Sequence, residues 1–356
     1  MEGLLDIEIY KEHESHPVPN VIPPLQTPTK EKGKRAMATS SQDTFTAGIA
    51  GLSGKFARLV ASHLLSRPHV HIRGLVRSAK KLPSSLSTSP RVTVIEGDAF
   101  DAASAQSLVR GCDVVICSYL GADALMIDGQ KLLIDACAAE GVPRYLASDF
   151  TLDFTKLQKG QLFPKDPMIE VKEYLDAKKE VQGVHVLIAA FTDTFFSAYF
   201  QVWDGKERKL RTWGKPERVW EVTSYMNAAE YTAAVALDPK AVGVQRFRGD
   251  RKNIHQIADA INTVYGFKPE VETLGSLDEL YKRMHALRKG YPNDMFKYLA
   301  MFYQYHLING QCYVGEDDKL ENDKYPEIKA ETVEDFLRRL PLEKLPDAMA
   351  IAGDSE

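Results

Sequence analysis

The stretch 44–65, TFTAGIAGLSGKFARLVASHLL, joins a short apolar run to three evenly spaced glycines and then to a segment of helical periodicity. Gly48, Gly51 and Gly54 read G-x-x-G-x-x-G. Between a strand and a helix such spacing serves three needs: a tight turn, close backbone approach to a pyrophosphate, and close packing of helix on strand. The following helix aims its free N–H groups at the phosphates. The positions that would touch a nucleotide are Gly48, Ala50, Gly51, Leu52, Ser53 and Gly54. Glycine also serves ordinary turns, so the meaning of the triplet depends on the pattern of the next hundred or so residues.

That pattern is regular. It predicts a helix over 55–66, strands at 70–76 and 92–96, a helix over 102–110, a strand at 113–118, a helix over 125–140 closing at Gly141, and a strand at 144–148. A helix over 167–182 and a nearly continuous apolar strand at 184–191 complete the series. Such alternation through at least five strands specifies an α/β, Rossmann-type, doubly wound parallel sheet with helices on both faces. Beyond 192 the pattern is less regular, with a hairpin over 211–222, a helix over 227–237, a strand at 244–247 and helical stretches from 253 to 340. The expected organisation is a flexible arm (1–42), a cofactor-binding domain (43–191), a smaller lobe covering the substrate (192–345) and a flexible tail (346–356).

A length of 356 residues is enough for one large α/β domain with an attached smaller region. The net charge of -4 offers no basic excess for holding nucleic-acid phosphates. No apolar run approaches the ~18 to 20 residues that span a bilayer. Cys112, Cys117, Cys137 and Cys312 lack metal-ligand spacing and read as reduced thiols of a cytoplasmic protein, with no metal expected. The first 42 residues include Pro17, Pro19, Pro23, Pro24 and Pro28, then KEKGKR at 30–35, a composition that cannot bury enough apolar area to order itself. The basic cluster reads either as a nuclear address or as a solvated charge run.

The second strand ends in Arg77, with Ser78, Lys80 and Lys81 beyond it. Cations there receive the 2′-phosphate of NADP, where an acid would instead hold the ribose of NAD, so NADP(H) is the expected cofactor. Arg77, whose planar fork binds phosphate through two hydrogen bonds, is the first candidate and Lys81 the second. After the third strand come Asp98 and Ala99; Asp98 either accepts from the adenine amine or caps the next helix. Tyr119 after the fourth strand, and Ser148 and Phe150 after the fifth, would line the crevice at the carboxyl edge of the sheet.

Taken together these residues resemble the atypical short-chain dehydrogenase/reductases, in particular their isoflavone reductase-like and NmrA-like branch. The resemblance runs from about 44 to 340 and rests on the glycine loop, LVRS at 75–78, Gly97 with Asp98, and VPRYLASDF at 142–150, where Ala147 stands in the place of the family's proline. It implies a catalytic lysine on the helix before the sixth strand, a position that falls on Lys172 and that also touches the cofactor, and it likens NAAEYT at 227–232 to a helix start, with Asn227 in place of an acid. A lysine beside a nicotinamide can donate a proton, or a hydrogen bond, to an oxygen that gains charge as hydride arrives. Tyr174 and Lys178 also spell the Y-x-x-x-K of ordinary short-chain dehydrogenases, an i, i+4 pair on one helical face. Phe191, Thr192, Phe195, Phe196 and Tyr199 belong to an aromatic-rich run that reads either as substrate lining or as core.

Three activities are implied by that resemblance. The first is an NADPH-dependent reductase acting on an enone, carbonyl or imine of a small hydrophobic aromatic or polyketide-like metabolite. The second is an NADP-sensing regulator without turnover, and the third a non-redox cyclase or isomerase. The partner is a small metabolite, the chain a monomer or a homodimer.

Overall fold

A computed structural model describes residues 44–352, so the arm and basic cluster expected at 1–42 lie outside the described residues. The chain begins with β1 (Phe45–Ala50), α1 (Lys55–Leu65), β2 (Val70–Val76), a short α2 (Ser84–Ser87), β3 (Val92–Glu96), α3 (Ala102–Val109) and β4 (Val114–Cys117). A π-turn at Leu125–Gly129 runs into α4 (Gln130–Glu140), followed by β5 (Arg144–Leu146), α5 (Asp166–Asp176) and β6 (Gln182–Leu187). The inner strands are largely apolar because both faces of the sheet are covered; all four residues of β4 are buried. Helix α1 turns Ala57, Val60, Ala61 and Leu64 inward at helical spacing, and α4 stops where Gly141 takes the left-handed conformation (φ 74°).

Later elements are β7 (Ala190–Phe191), α6 (Thr192–Phe196), β8 (Trp203–Asp204), β9 (Lys209–Thr212), β10 (Val219–Thr223), α7 (Tyr225–Leu237), β11 (Gly243–Arg246), β12 (Asp250–Asn253), α8 (Ile254–Tyr265), β13 (Glu270–Thr273), α9 (Leu277–Gly290), α10 (Leu299–Ile308), α11 (Val333–Arg338) and α12 (Ala348–Ile351). The central sheet has seven parallel strands in the order β11-β6-β5-β4-β1-β2-β3, which is the doubly wound architecture expected. From β1 the chain runs outward through β2 and β3, then returns to lay β4 on the other side of β1. In doubly wound sheets such a reversal is where a ligand crevice lies, beyond the carboxyl ends of the strands. Two three-stranded sheets, β12-β10-β7 and β13-β9-β8, build the smaller part.

Several expectations need correction. The helix predicted to 182 ends at Asp176, so Lys178 and Lys179 lie beyond it. Residues 211–222 form no hairpin: β9 pairs with β8 and β13, while β10 pairs with β7 and β12. A boundary at 191 separates no sheet or core, because β11 extends the central sheet beside β6 and Ala228, Ala229 and Val235 of α7 share one buried cluster with α1. The tail expected from 346 is placed as far as 352, with α12 against α6 and Ala348 buried.

Candidate active site at the carboxyl edge of the sheet

The three glycines divide their work differently from a simple loop. Gly48 sits inside β1, where an added Cβ would meet Cys112 Sγ and Val115 Cγ2 at 3.1 Å, so it lets α3 and β4 pack closely. Gly51 makes the turn: its φ is +81°, and a Cβ there would meet the Ser118 carbonyl oxygen at 2.9 Å. Gly54 is the N-cap of α1 and gives no side-chain cap, and the first turn carries no acid, so among the described residues no side chain caps this helix start. Lys55 comes next, its ammonium donating to the carbonyl of Ala350 in α12. Beside the turn, Ser118 Oγ and Tyr119 Oη are buried without a hydrogen-bond partner. Orphaned polar atoms beside the turn that leads into an uncapped helix fit a polar, phosphate-bearing ligand such as a nicotinamide nucleotide.

At the far end of the crevice, Arg77 and Lys81 are exposed where a 2′-phosphate would lie. Glu96 at the end of β3 accepts the Ala79 N–H, so a phosphate there would meet one carboxylate beside the two cations. Asp98 does not cap α3: it accepts from Phe100 N at 2.8 Å, while the N-cap of α3 is Asp101, accepting from Ala103 N and Ser104 N. Ala99 is half-buried next to it.

The loops after β4 and β5 are tied together by one side chain. Gln130, 1 % exposed, accepts from Ser148 N (3.0 Å) and Tyr145 Oη (3.2 Å) and donates to the Met126 carbonyl (2.7 Å). Ser148 Oγ donates to the Tyr119 carbonyl at 2.7 Å. Helical periodicity hid Gln130, since nothing local marks an α4 residue as a clamp. Phe150 has φ 38° and Ala189, beyond β6, has φ 61°. Two left-handed non-glycine residues on adjacent strand ends mark strain held by the surrounding fold, as functional sites often do. Phe150, Phe56, Phe191 and Tyr225 form a ring cluster there, with Phe191 stacked on Tyr225 at 4.0 Å and Phe56 4.5 Å from Phe150.

The predicted chemistry-bearing residues on and after α5 are all paired with carboxylates. Because β5 and β6 are parallel neighbours, α5 runs from the carboxyl edge back toward the amino edge. Lys172 lies about 9 Å along the axis from the helix start. Its ammonium is 2.5 Å from Asp176 Oδ2. Tyr174 and Lys178 do come together, yet on the outer flank: both donate to Asp135 Oδ1 of α4, at 2.7 and 2.6 Å. Burial, then the bond to Asp135, raises the Tyr174 pKa, which is the opposite of an activated phenol. Of the aromatic run, Phe195 and Phe196 are core residues, packed on Phe200, Trp220 and Phe336, while Thr192 is buried and Phe191 and Tyr199 are half-buried. Asn227 is not the helix start either; Ser224 caps α7 and accepts from Asn227 N.

Other buried groups escaped the sequence reading. Asp149 Oδ2 lies 2.7 Å from His185 Nδ1 with both side chains 1 % exposed, and His185 Nε2 has no hydrogen-bond partner. Lys165, just before α5, is 5 % exposed, and burial lowers its pKa to about 8 while Asp149 pulls it the other way. All four cysteines are free and buried, and burial raises each thiol, Cys112 and Cys117 to about 12. Among the described residues no group of His, Cys, Asp and Glu could hold a metal, and no helix is long and apolar enough to cross a membrane.

Comparison with known proteins agrees with this geometry. Residues 51–188 match a family model for NAD(P)H-binding domains. A stretch of 94 residues is 36 % identical to an isoflavone reductase homolog of Zea mays, covering 26 % of this chain and 29 % of that protein. Among solved structures, AtPrR2 with NADP+ and (+)-pinoresinol superposes with a TM-score of 0.71 at 18 % identity, over 84 % of this chain and 99 % of that one. Leucoanthocyanidin reductase of Vitis vinifera, bound to NADPH, gives 0.67 at 15 % identity over 83 % and 98 %. Fold and crevice thus define an NAD(P)H-binding Rossmann protein. Residues 51–188 carry the NAD(P)H-binding domain, and the isoflavone reductase homolog and the plant reductases are what the chain is similar to.

Proposed function

We propose that this protein is an NADPH-dependent reductase that delivers hydride to an enone, carbonyl or imine of a small hydrophobic, aromatic or polyketide-like metabolite. The observation that carries the reading is the uncapped start of α1 after left-handed Gly51, with Ser118 and Tyr119, whose Oγ and Oη are orphaned, packed beside the turn. The backbone of 50–54 would hold the pyrophosphate, Arg77 and Lys81 the 2′-phosphate, and Ser148 and Phe150 the nicotinamide half. The nucleotide supplies the hydride; the chain binds, orients and excludes water. The resemblance assigns proton donation to Lys172, and in this reading that lysine acts only after leaving Asp176. Structural neighbours that bind NADPH and an aromatic lignan support both cofactor and substrate class. Four free, buried thiols suit a cytoplasmic enzyme.

A second reading, an NADP-sensing regulator without turnover, is favoured by the pairing of Lys172, Tyr174 and Lys178 with carboxylates. Calorimetry with NADPH, NADP+ and NADH tests the shared premise, and stopped-flow NADPH oxidation against a panel of enones and aryl ketones separates the two. Tight nucleotide binding with no turnover on any panel member favours the regulator. Product formed by nucleotide-free protein would instead indicate a cyclase or isomerase.

A further inference from the structure

Four lysines on or beside the outer side of α5 have a carboxylate: Lys131 meets Glu170 at 2.6 Å, Lys159 meets Glu173 at 2.9 Å, and Lys172 and Lys178 are paired as above. Lys165 does not. Among the described residues its ammonium has no ion pair or hydrogen bond, and its neighbour is the Tyr303 ring of α10, 5.1 Å from Nζ to centroid. Isolated charges are seldom left buried, because water solvates them far better than a protein interior does. A methionine would fill this place at no electrostatic cost, so an enclosed lysine calls for a use.

Its place gives that use. Lys165 stands at the start of α5, the end nearest the carboxyl edge of the sheet. Burial, and then the charge of the neighbouring Asp166, raises the pKa of Asp123 on the loop after β4. Asp149, on the loop after β5, lies within electrostatic reach of the ammonium and is itself fixed by His185. The groups around Lys165 are therefore Asp149 with His185 behind it, Asp166 next along the chain, and Tyr303 from α10; Asp149 stands between Ser148 and Phe150, and Ser148 Oγ donates to the Tyr119 carbonyl.

We propose that Lys165, in place of Lys172 that is paired with Asp176, is the group that gives a proton or a hydrogen bond to the substrate oxygen as it gains negative charge, with Asp149 positioning it. The proposal rests on the reductase reading. As hydride adds to the carbonyl carbon, or to the β-carbon of an enone, the displaced electron pair moves to oxygen. An N–H bond of Lys165 breaks as the new O–H bond forms. The neutral amine then regains its proton from water, and the two electrons are those lost by the reduced nicotinamide nucleotide.

The test uses the full chain labelled with 15N-lysine, Lys165→Met and Lys165→Arg, with Lys159→Met as a paired-lysine control. The expected result is one Nζ signal, absent from Lys165→Met, that titrates near pH 8, against an ordinary lysine value of 10.5, and that moves when NADP+ saturates the protein. Lys165→Met should raise the melting temperature, since it removes an unpaired buried charge, while slowing single-turnover NADPH oxidation by ~100-fold with nucleotide affinity unchanged. Lys165→Arg should melt lower and be as slow, and Lys159→Met should match the parent. A Lys165 signal titrating like other lysines and indifferent to NADP+ overturns the proposal. So does a Lys165→Met protein that melts lower and binds nucleotide poorly, which would make the residue structural, and so does full activity in Lys165→Met with loss in Lys172→Met. Calorimetry separates the two levels: no heat with any nucleotide in the parent protein removes the reductase reading itself, whereas heat with an ordinary Lys165 removes only its assignment.

Discussion

The carboxyl edge of the central sheet and the flank formed by α4 and α5 are built from the same kinds of residue under opposite conditions. On the flank each charge is answered: Lys131, Lys172, Lys178 and Tyr174 all reach carboxylates within 2.7 Å. At the edge the groups are left unanswered, with left-handed Phe150 and Ala189, orphaned Ser118 Oγ and Tyr119 Oη, an uncapped α1, and Lys165 enclosed without a partner. The flank has no free energy stored for a ligand to release. The edge does, and that difference identifies where binding and chemistry belong better than residue type alone.

The comparison breaks most plainly at Gly51. Valine there would have to hold a left-handed φ and place its Cβ against the Ser118 backbone oxygen, a strain of about 1 to 3 kcal/mol before any clash is counted. The turn should then rebuild, and the helix start would no longer face the crevice. Gly51→Val is expected to weaken NADPH by more than roughly a hundredfold in calorimetry while circular dichroism keeps the α/β signature. Unchanged affinity would mean that the open edge is not where the nucleotide binds.

That edge was legible in the sequence only where the signal was local. The glycine spacing, the apolar strands and the LVRS run placed β1, α1, β2 and β3 within a residue or so, because a strand buried on both faces announces itself in consecutive side chains. The end of α5 was misjudged because its periodicity continues through 177–182 while the chain turns toward β6. The supposed hairpin failed for a related reason: pairing in the smaller sheets is set by β12 and β13, far along the chain. Lys165 and Gln130 were invisible for the strongest reason. Their burial is imposed by α10 and by the strand-end loops, so no window around FPKDP or GQKLL could have shown it.

A sharper version of the comparison uses Asp193, just beyond β7, which is 4 % exposed. Burial raises its pKa from 3.8 to about 6, against hydrogen bonds from Tyr225 N and its own N–H. The fold therefore prefers the neutral acid. Between pH 4 and 6 the unfolded chain loses the proton first, so stability falls as pH rises through that window, and the penalty is full above about 6. Asparagine keeps an accepting oxygen without the charge. Asp193→Asn should gain about 2 to 3 kcal/mol in urea unfolding at pH 7.5 and nothing at pH 3.5. An equal gain at both values would show that packing, not charge, sets the cost.

A smaller effect is expected at Arg77, exposed at the end of β2. Reversing its charge should cost NADPH roughly tenfold in affinity, since an exposed phosphate contact is worth on the order of 1 to 2 kcal/mol, and should leave NADH nearly unchanged. Equal losses for both nucleotides would place the 2′-phosphate elsewhere, with Glu96 then the residue to reconsider.

The smallest effect belongs to the flank. In the double variant Tyr174→Phe with Lys178→Ala, Asp135 loses both donors, but it is nearly half exposed (48 %), so water takes their place. The phenol keeps its ring against α4, and the ammonium was only partly buried at 27 % side-chain exposure. The loss in stability should stay below about 1 kcal/mol, the usual range for solvent-exposed pairs, and should shrink further in high salt. Single-turnover NADPH oxidation should stay within about twofold of the parent, because a phenol bonded to a carboxylate has no proton-transfer role to lose. A large fall in rate with an unchanged melting temperature would move the chemistry from the edge to the flank and reverse the contrast on which the assignment of function depends.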